Sequence, residues 1–208
     1  MGNKALAAGI AVVVSGWVST AAAQGFPDFG HAGTVAVGAE RLMGLSFASV
    51  DVEGGGDSDF TGVYLLGNPA HSSPYDVPKF TFDYFVTDRF SNGTGLVFAS
   101  LSPDEGDNVT YFAINPRIGG GFPIADKVGI WARGGITYYT SGDDDIDISG
   151  LGLNLDAMFV LGVTDSFAFT IGPVADIGLT GSAESDLGGE VDFKYTNFGA
   201  NAGVVGLF

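Results

Sequence analysis

Few residues in this chain have the types and spacing to do covalent chemistry. Cysteine is absent and there are two histidines, His31 and His71. His71 opens the run His71-Ser-Ser-Pro-Tyr-Asp76, so a base, two hydroxyls (Ser72 and Ser73) and a carboxylate occur together. Nucleophilic catalysis needs a base that activates the hydroxyl and a third group that orients the base. Residues crowded into one proline-containing stretch are a poor substitute for groups gathered from separate elements, so the chain is not expected to be an enzyme.

Metal chemistry is the second possibility. The run Asp143-Asp-Asp-Ile-Asp147 lacks the glycine at position six and the closing glutamate of an EF-hand loop. Asp143, Asp145 and Asp147 still project together if that loop continues a strand, which suits a hard dication. Three other stretches are acidic and, like this one, hold no Lys or Arg: Asp51, Glu53, Asp57, Asp59 and Asp76; Asp104, Glu105 and Asp107; Glu184, Asp186, Glu190 and Asp192. Charges on adjacent loops repel within a Debye length of about 8 Å. A weak Ca²⁺ affinity, on the order of 10⁻⁴–10⁻³ M, is the expectation, and no other cofactor.

The third set is ionic. Glu40, Asp83, Arg117, Arg133, Asp156 and Asp176, with Asn115, Asn154, Asn197 and Asn201, share one parity within runs of alternating hydrophobicity. Arg41 breaks that parity and marks a candidate bulge. Four carboxylates around two guanidiniums would form charge-assisted hydrogen bonds that lock rather than conduct. The alternative is a narrow proton or cation path through the same groups.

These residues need strands to position them. In Leu151-Gly-Leu-Asn-Leu-Asp-Ala-Met-Phe-Val-Leu-Gly-Val163, Leu151, Leu153, Leu155, Phe159 and Leu161 fall on one face, and Asn154 and Asp156 on the other. Strict alternation gives one apolar and one polar face per strand. Such runs occur eight times: 34–50, 78–87, 94–102, 109–122, 128–140, 151–163, 167–180 and 191–208. Tight connections (88–93, 123–127, 164–166) alternate with longer acidic ones, the plan of a membrane barrel. A spanning strand needs about 9–11 residues, which these runs supply. The expectation is an all-β, eight-stranded, antiparallel up-and-down transmembrane barrel, with ten strands as the alternative. Phe60-Thr-Gly-Val-Tyr-Leu-Leu-Gly67 is read as part of a long first loop packed over the mouth.

The expected lipid face carries Val35, Val37, Phe80, Phe82, Ile114, Ile118, Ile130, Leu155, Phe159, Ile171 and Val204. Two aromatic girdles are expected, Tyr111, Tyr138, Tyr139, Phe193 and Tyr195 at one end and Phe85, Phe122, Phe167 and Phe208 at the other. A secreted lipocalin-like barrel would invert these faces.

Composition agrees. The chain of 208 residues is 46% hydrophobic but 15% charged, with 34 glycines and a net charge of −16 from 8 basic and 24 acidic residues. That balance excludes nucleic acid as a partner. Lys4, the apolar stretch from Ala5 to Val18 and the small residues Ala21 and Ala23 read as a cleaved signal peptide, residues 1–23, ahead of a barrel domain at 24–208.

The final residues, Asn201-Ala-Gly-Val-Val-Gly-Leu-Phe208, resemble the C-terminal assembly signal of bacterial outer-membrane proteins, departing from it at Gly206. With the signal peptide, the eight runs and the acidic loops, the chain resembles the small outer-membrane β-barrel family of OmpA transmembrane domains, OmpX and OmpW. That resemblance implies the outer membrane of a Gram-negative-type bacterium, Phe208 as the signal read by the barrel-assembly machinery, and a monomer among outer-membrane lipid and lipopolysaccharide. The implied role is structural or surface-interacting, with acidic loops presented to cations, lipopolysaccharide or partners. The alternative is a narrow OmpW-like channel for small or hydrophobic molecules.

Overall fold

Alternating side chains make two-faced strands, and two-faced strands whose polar edges must all be paired close into a ring. The computed structural model describes residues 29–66, 75–101, 109–142, 146–185 and 189–208, and the signal segment 1–23 lies outside them. Nine strands follow in order: β1 (Val35–Val52), β2 (Asp57–Leu65), β3 (Lys79–Thr87), β4 (Phe90–Leu101), β5 (Val109–Ala125), β6 (Val128–Gly142), β7 (Ile146–Gly162), β8 (Phe167–Ser185) and β9 (Gly189–Leu207). All described pairings are antiparallel, in the order β2-β1-β3-β4-β5-β6-β7-β8-β9, and β1 also pairs with β9. The ring therefore has eight members, β1 and β3 to β9.

β2 corrects the sequence reading of Phe60–Gly67 as loop. β1 pairs with β3 only from Val35 to Glu40, while its farther half, Met43–Asp51, pairs with β2. The change of partner falls at an irregularity between Ala39 and Met43, where Arg41 has a φ of 57°. A bulge of this kind breaks the ladder and bends the strand. β3 begins at Lys79, directly opposite Glu40, so the edge of β1 beyond that point would be unpaired; β2 folds back and pairs with it.

The β3–β4 connection is also shorter than expected. Thr87 pairs with Phe90 across Asp88 and Arg89, the latter at a φ of 73°, so Ser91, Asn92 and Gly93 belong to the wall instead of the turn.

Outward positions hold the apolar band. Phe80, Phe82, Ile114, Ile118, Leu155, Phe159 and Ile171 are all exposed, and Val35, Val37, Ile130 and Val204 are partly so. Inward positions hold the polar residues. Apolar outside and polar inside is the arrangement of a lipid-embedded barrel and the reverse of a soluble one.

Candidate functional site

The lumen is filled in layers, starting at the end where the tight turns and Phe208 lie. The first layer is aromatic. Phe85 and Trp131 stack with ring centroids 5.5 Å apart, and Phe29 meets both edge-on at 5.6 and 5.7 Å. Phe29 comes from the segment before β1, which turns under the barrel through Gly30 and Gly33 at φ of 84° and 93°. A side chain with a β-carbon rarely adopts that conformation. Gly129 leaves room for the ring: a β-carbon there would stand 2.6 Å from Phe29 Cε1. The strap is held by Gly33 N–H donating to the Phe85 carbonyl (2.8 Å) and Ala32 N–H donating to Asp88 Oδ1 (3.0 Å). The Ala32 donor keeps the Asp88 carboxyl below its usual range.

The second layer is ionic. Arg117 donates to both Glu40 oxygens (2.7 and 2.9 Å) and, through Nε, to Asp83 Oδ1 (3.0 Å). Its Nη2 also donates to Asp83 Oδ2. Arg133 donates through Nη1 to Glu40 and through Nε to Asp156 Oδ1 (2.8 Å), directly opposite it on β7. The Arg133 guanidinium carbon lies 4.5 Å from the Trp131 ring centroid, which ties this layer to the one below. These five side chains are between 1% and 9% exposed.

The third layer departs from the expected set. Asp176 does not join the Arg117–Arg133 cluster but is bound by Arg41 Nη2 (2.8 Å), Asn154 Nδ2 (2.8 Å) and Asn197 Nδ2 (3.4 Å). The bulge turns Arg41 inward, which adds a third guanidinium that parity alone did not place. Asn197 also donates to Asp76 Oδ1 (3.1 Å), and Arg41 Nη1 donates to the Tyr75 carbonyl. Tyr75 and Asp76 precede β3 and hang inside the lumen, both buried.

Tyrosines close the loop end. Tyr75 meets Tyr139 and Tyr195 with centroids 5.6 and 5.7 Å apart, and Tyr111 and Phe193 pack against the group. Tyr64 of β2 is buried beside this end, over Gly44. This corrects the girdles: Tyr139, Tyr195 and Phe85 point into the lumen, with Tyr111 and Phe193 packed against the inner cluster, while Tyr138 and Phe122 remain exposed outside.

The hydrolase-like set is not assembled among the described residues. His31 sits in the strap beside Asp88, with Nδ1 3.6 Å from Oδ1, whereas Asp76 lies in the lumen near the loop end. His71, Ser72 and Ser73 lie outside the described residues. So do Asp143 and Asp145, and Asp147 is exposed at the end of β7. No group of three metal-ligating side chains stands together among the described residues. Asp147 is directly opposite Glu184, however, and Glu184 is opposite Glu190, so like charges face each other across β7, β8 and β9. Phe208 lies at the ring's seam, exchanging backbone hydrogen bonds of 2.8 and 2.9 Å with Val35.

Sequence reasoning missed Phe29, Tyr75 and Lys79. Phe29 and Tyr75 lie outside any alternating run and left no periodic signal. Lys79 shares the parity of Thr81 and Asp83 and is buried with them, so its inward placement was readable.

No protein-family model matches the chain, and no curated protein matches it in sequence. Solved structures match its shape. The outer membrane protein AlkL, determined by solid-state NMR in DMPC lipid bilayers, superposes with a TM-score of 0.55 at 11% identity, covering 86% of this chain and 91% of that chain. The outer membrane protein OprG from Pseudomonas aeruginosa gives a TM-score of 0.50 at 11% identity, covering 86% of this chain and 98% of that chain. Together with the closed antiparallel ring and its outward apolar band, these matches give this chain the fold of the small outer-membrane β-barrels.

Proposed function

We propose that this protein is a closed, non-catalytic barrel of a Gram-negative-type outer membrane that acts at its acidic loop end, towards cations, lipopolysaccharide or partners. One observation carries this reading: Arg117 and Arg133 tie Glu40, Asp83 and Asp156 together across the lumen, between an aromatic floor and a tyrosine ceiling. Ionic groups tied to one another by charge-assisted hydrogen bonds hold their charge against a passing ion. An eight-membered ring is also narrow enough for its own side chains to fill. The test is single-channel recording in planar bilayers. The parent protein is expected to give no discrete conductance steps, and stable, reproducible steps would overturn the closed reading.

The loop end would hold divalent cations collectively. Asp147, Glu184 and Glu190 are directly opposed across three strands, which is destabilising for like charges until a cation intervenes. A hard dication relieves that repulsion and accepts irregular oxygen ligands, and Asp143 and Asp145 lie close by in the sequence. The same cations would bridge the rim to lipopolysaccharide phosphates, which like charge otherwise repels. Millimolar calcium is expected to raise the melting temperature of the parent and to do so less for an Asp143/Asp145/Asp147→Asn variant. Calorimetry showing no heat, with no calcium-dependent shift in melting, would leave the carboxylates as a solvated face.

A second reading is favoured by the placement of β2. Among the described residues no ladder joins β2 to β4, and the three most exposed large apolar side chains, Val63, Leu65 and Phe98, lie on these two strands. Such a seam suits small apolar molecules that leave the barrel sideways into lipid. Uptake of an apolar fluorophore by vesicles containing the protein, at the rate of protein-free vesicles, would remove this reading.

A further inference from the structure

The lumen's ionic layers leave buried polar atoms without a protein partner, and these gather in two places. The first is beside Gly95 on β4. Lys79 is 3% exposed, and among the described residues its ammonium makes no hydrogen bond or ion pair. Glu40 stands directly opposite it but is taken by Arg117 and Arg133. Asn115 donates to Thr137 Oγ1 (3.1 Å), which leaves its buried Oδ1 without a donor. A β-carbon at Gly95 would stand 3.5 Å from Lys79 Cδ and 3.6 Å from Asn115 Cβ, so both stems flank the same glycine. A donor and an acceptor thus share one corner of the lumen without bonding each other.

The second place is on β8 and β9. Thr170 Oγ1, Asn201 Oδ1 and Arg133 Nη2 are buried with no partner. Thr170 is directly opposite Gly203 and Asn201 directly opposite Gly172, so each polar side chain has a glycine across the ladder. A β-carbon at Gly203 would stand 3.1 Å from Thr170 Oγ1 and 2.9 Å from Glu40 Cα. Arg133 binds that same Glu40 through Nη1, which brings the rest of its guanidinium to this corner.

Leaving such groups unpaired is costly, most of all a charge. An occupant has to donate to the Asn115 and Asn201 oxygens and accept from Lys79 and Arg133. An anion cannot donate, and both places adjoin Glu40, whose carboxylate would repel it. A metal cation cannot donate either, and it would meet the charge of Lys79 in one place and of Arg133 in the other. Water donates and accepts, and a buried molecule typically makes about three such bonds. We propose that the lumen holds ordered water at these two places, one molecule bridging Lys79 Nζ to Asn115 Oδ1 and one joining Arg133 Nη2, Thr170 Oγ1 and Asn201 Oδ1. Enclosed between the aromatic floor and the tyrosine ceiling, this water pairs orphaned groups without the screening of bulk solvent. Lys79 is then a lumen cation whose charge is borne by water in place of a carboxylate, and the lumen is sealed but not dry. The proposal concerns the interior alone, so it stands apart from what the loop end does and from what surrounds the wall.

The test is a crystal structure of the detergent-solubilised protein, at a resolution that shows ordered water, from crystals soaked in bromide. One water is expected within hydrogen-bond distance of both Lys79 Nζ and Asn115 Oδ1. A second is expected within reach of Arg133 Nη2, Thr170 Oγ1 and Asn201 Oδ1, with no anomalous signal at either. A bromide peak beside Lys79 or Arg133 would overturn the proposal. So would Lys79 bonded directly to Asn115 or Glu40, or a Thr170 corner closed by side chains bonded to one another. Substitution separates the two molecules. Asn115→Leu removes an acceptor and should lose the water beside Lys79 while keeping the other. Thr170→Val puts a methyl where the hydroxyl stood and should lose the second water while keeping the first. A variant that keeps both waters, or loses both, would contradict two separate sites. If a variant fails to fold, as heat-modifiable gel mobility would show, the parent structure still decides.

Discussion

Arg117→Met is expected to lower the unfolding free energy by about 3–5 kcal/mol, the cost of removing one partner from a buried ion pair. Arg117 is the centre of the ionic layer, holding Glu40 by two bonds and Asp83 by two more. Without it Glu40 keeps Arg133, but Asp83 loses the guanidinium that binds it. Methionine matches the volume of the stem and supplies no donor, so the loss is electrostatic rather than a cavity. The companion variant Arg117→Met/Asp83→Leu removes both ends of the pair and should recover part of the loss, because the uncompensated carboxylate goes with the cation. Reversible urea unfolding in lipid vesicles, followed by Trp131 fluorescence, checks both. A loss below about 1 kcal/mol for the single variant would mean that water reaches this layer and screens it, as at an exposed pair.

Leu155→Arg is expected to cost about 2–4 kcal/mol, the penalty for a cation at mid-depth on the lipid face of a barrel. Leu155 is 44% exposed and stands in the outward row of β7, with Leu151 towards the loops and Phe159 and Leu161 towards the turns. The depth dependence is the sharper part of the expectation. Leu151 is directly opposite Tyr138, the exposed aromatic near the loop end, so Leu151→Arg should cost only about 0–1 kcal/mol. The same unfolding measurement on an arginine series along β7 should peak near Leu155 and fall towards both ends. A flat series would mean that this face meets water. Asn154, one residue away, is a poor control: it is buried and donates to Asp176 at 2.8 Å, so arginine there would crowd Arg41.

The parity that sorts Leu155 from Asn154 was legible from sequence because alternation has period two, and some inward polar residues face polar partners one strand away. Arg133 and Asp156 are directly opposite, as are Asn154 and Asp176. What escaped was whatever departed from period two. The bulge at Arg41 moved one charge inward and released the far half of β1 to β2. A segment as apolar as Phe60–Leu65 reads equally as loop cover or as strand until it is known which edge lacks a partner. Asn92-Gly93 carries strong turn chemistry, but the two-residue turn at Asp88–Arg89 had already reversed the chain, so the pair was carried into β4. The lumen's two caps, Phe29 and Tyr75, come from irregular segments whose positions depend on the cavity they fill.

An outer wall that meets lipid around a lumen packed shut is open to a direct test. With Trp17 replaced by Phe, Trp131 is the sole native tryptophan, and it is buried in the lumen. The deciding measurement is fluorescence quenching in vesicles by lipids brominated on their acyl chains and, separately, by aqueous iodide. Trp131 is expected to resist both quenchers, while a tryptophan placed at Leu155 in a Trp131→Phe background is expected to be quenched strongly by bromolipid and little by iodide. Bromolipid quenching of Trp131, or iodide quenching of the tryptophan at position 155, would contradict that arrangement.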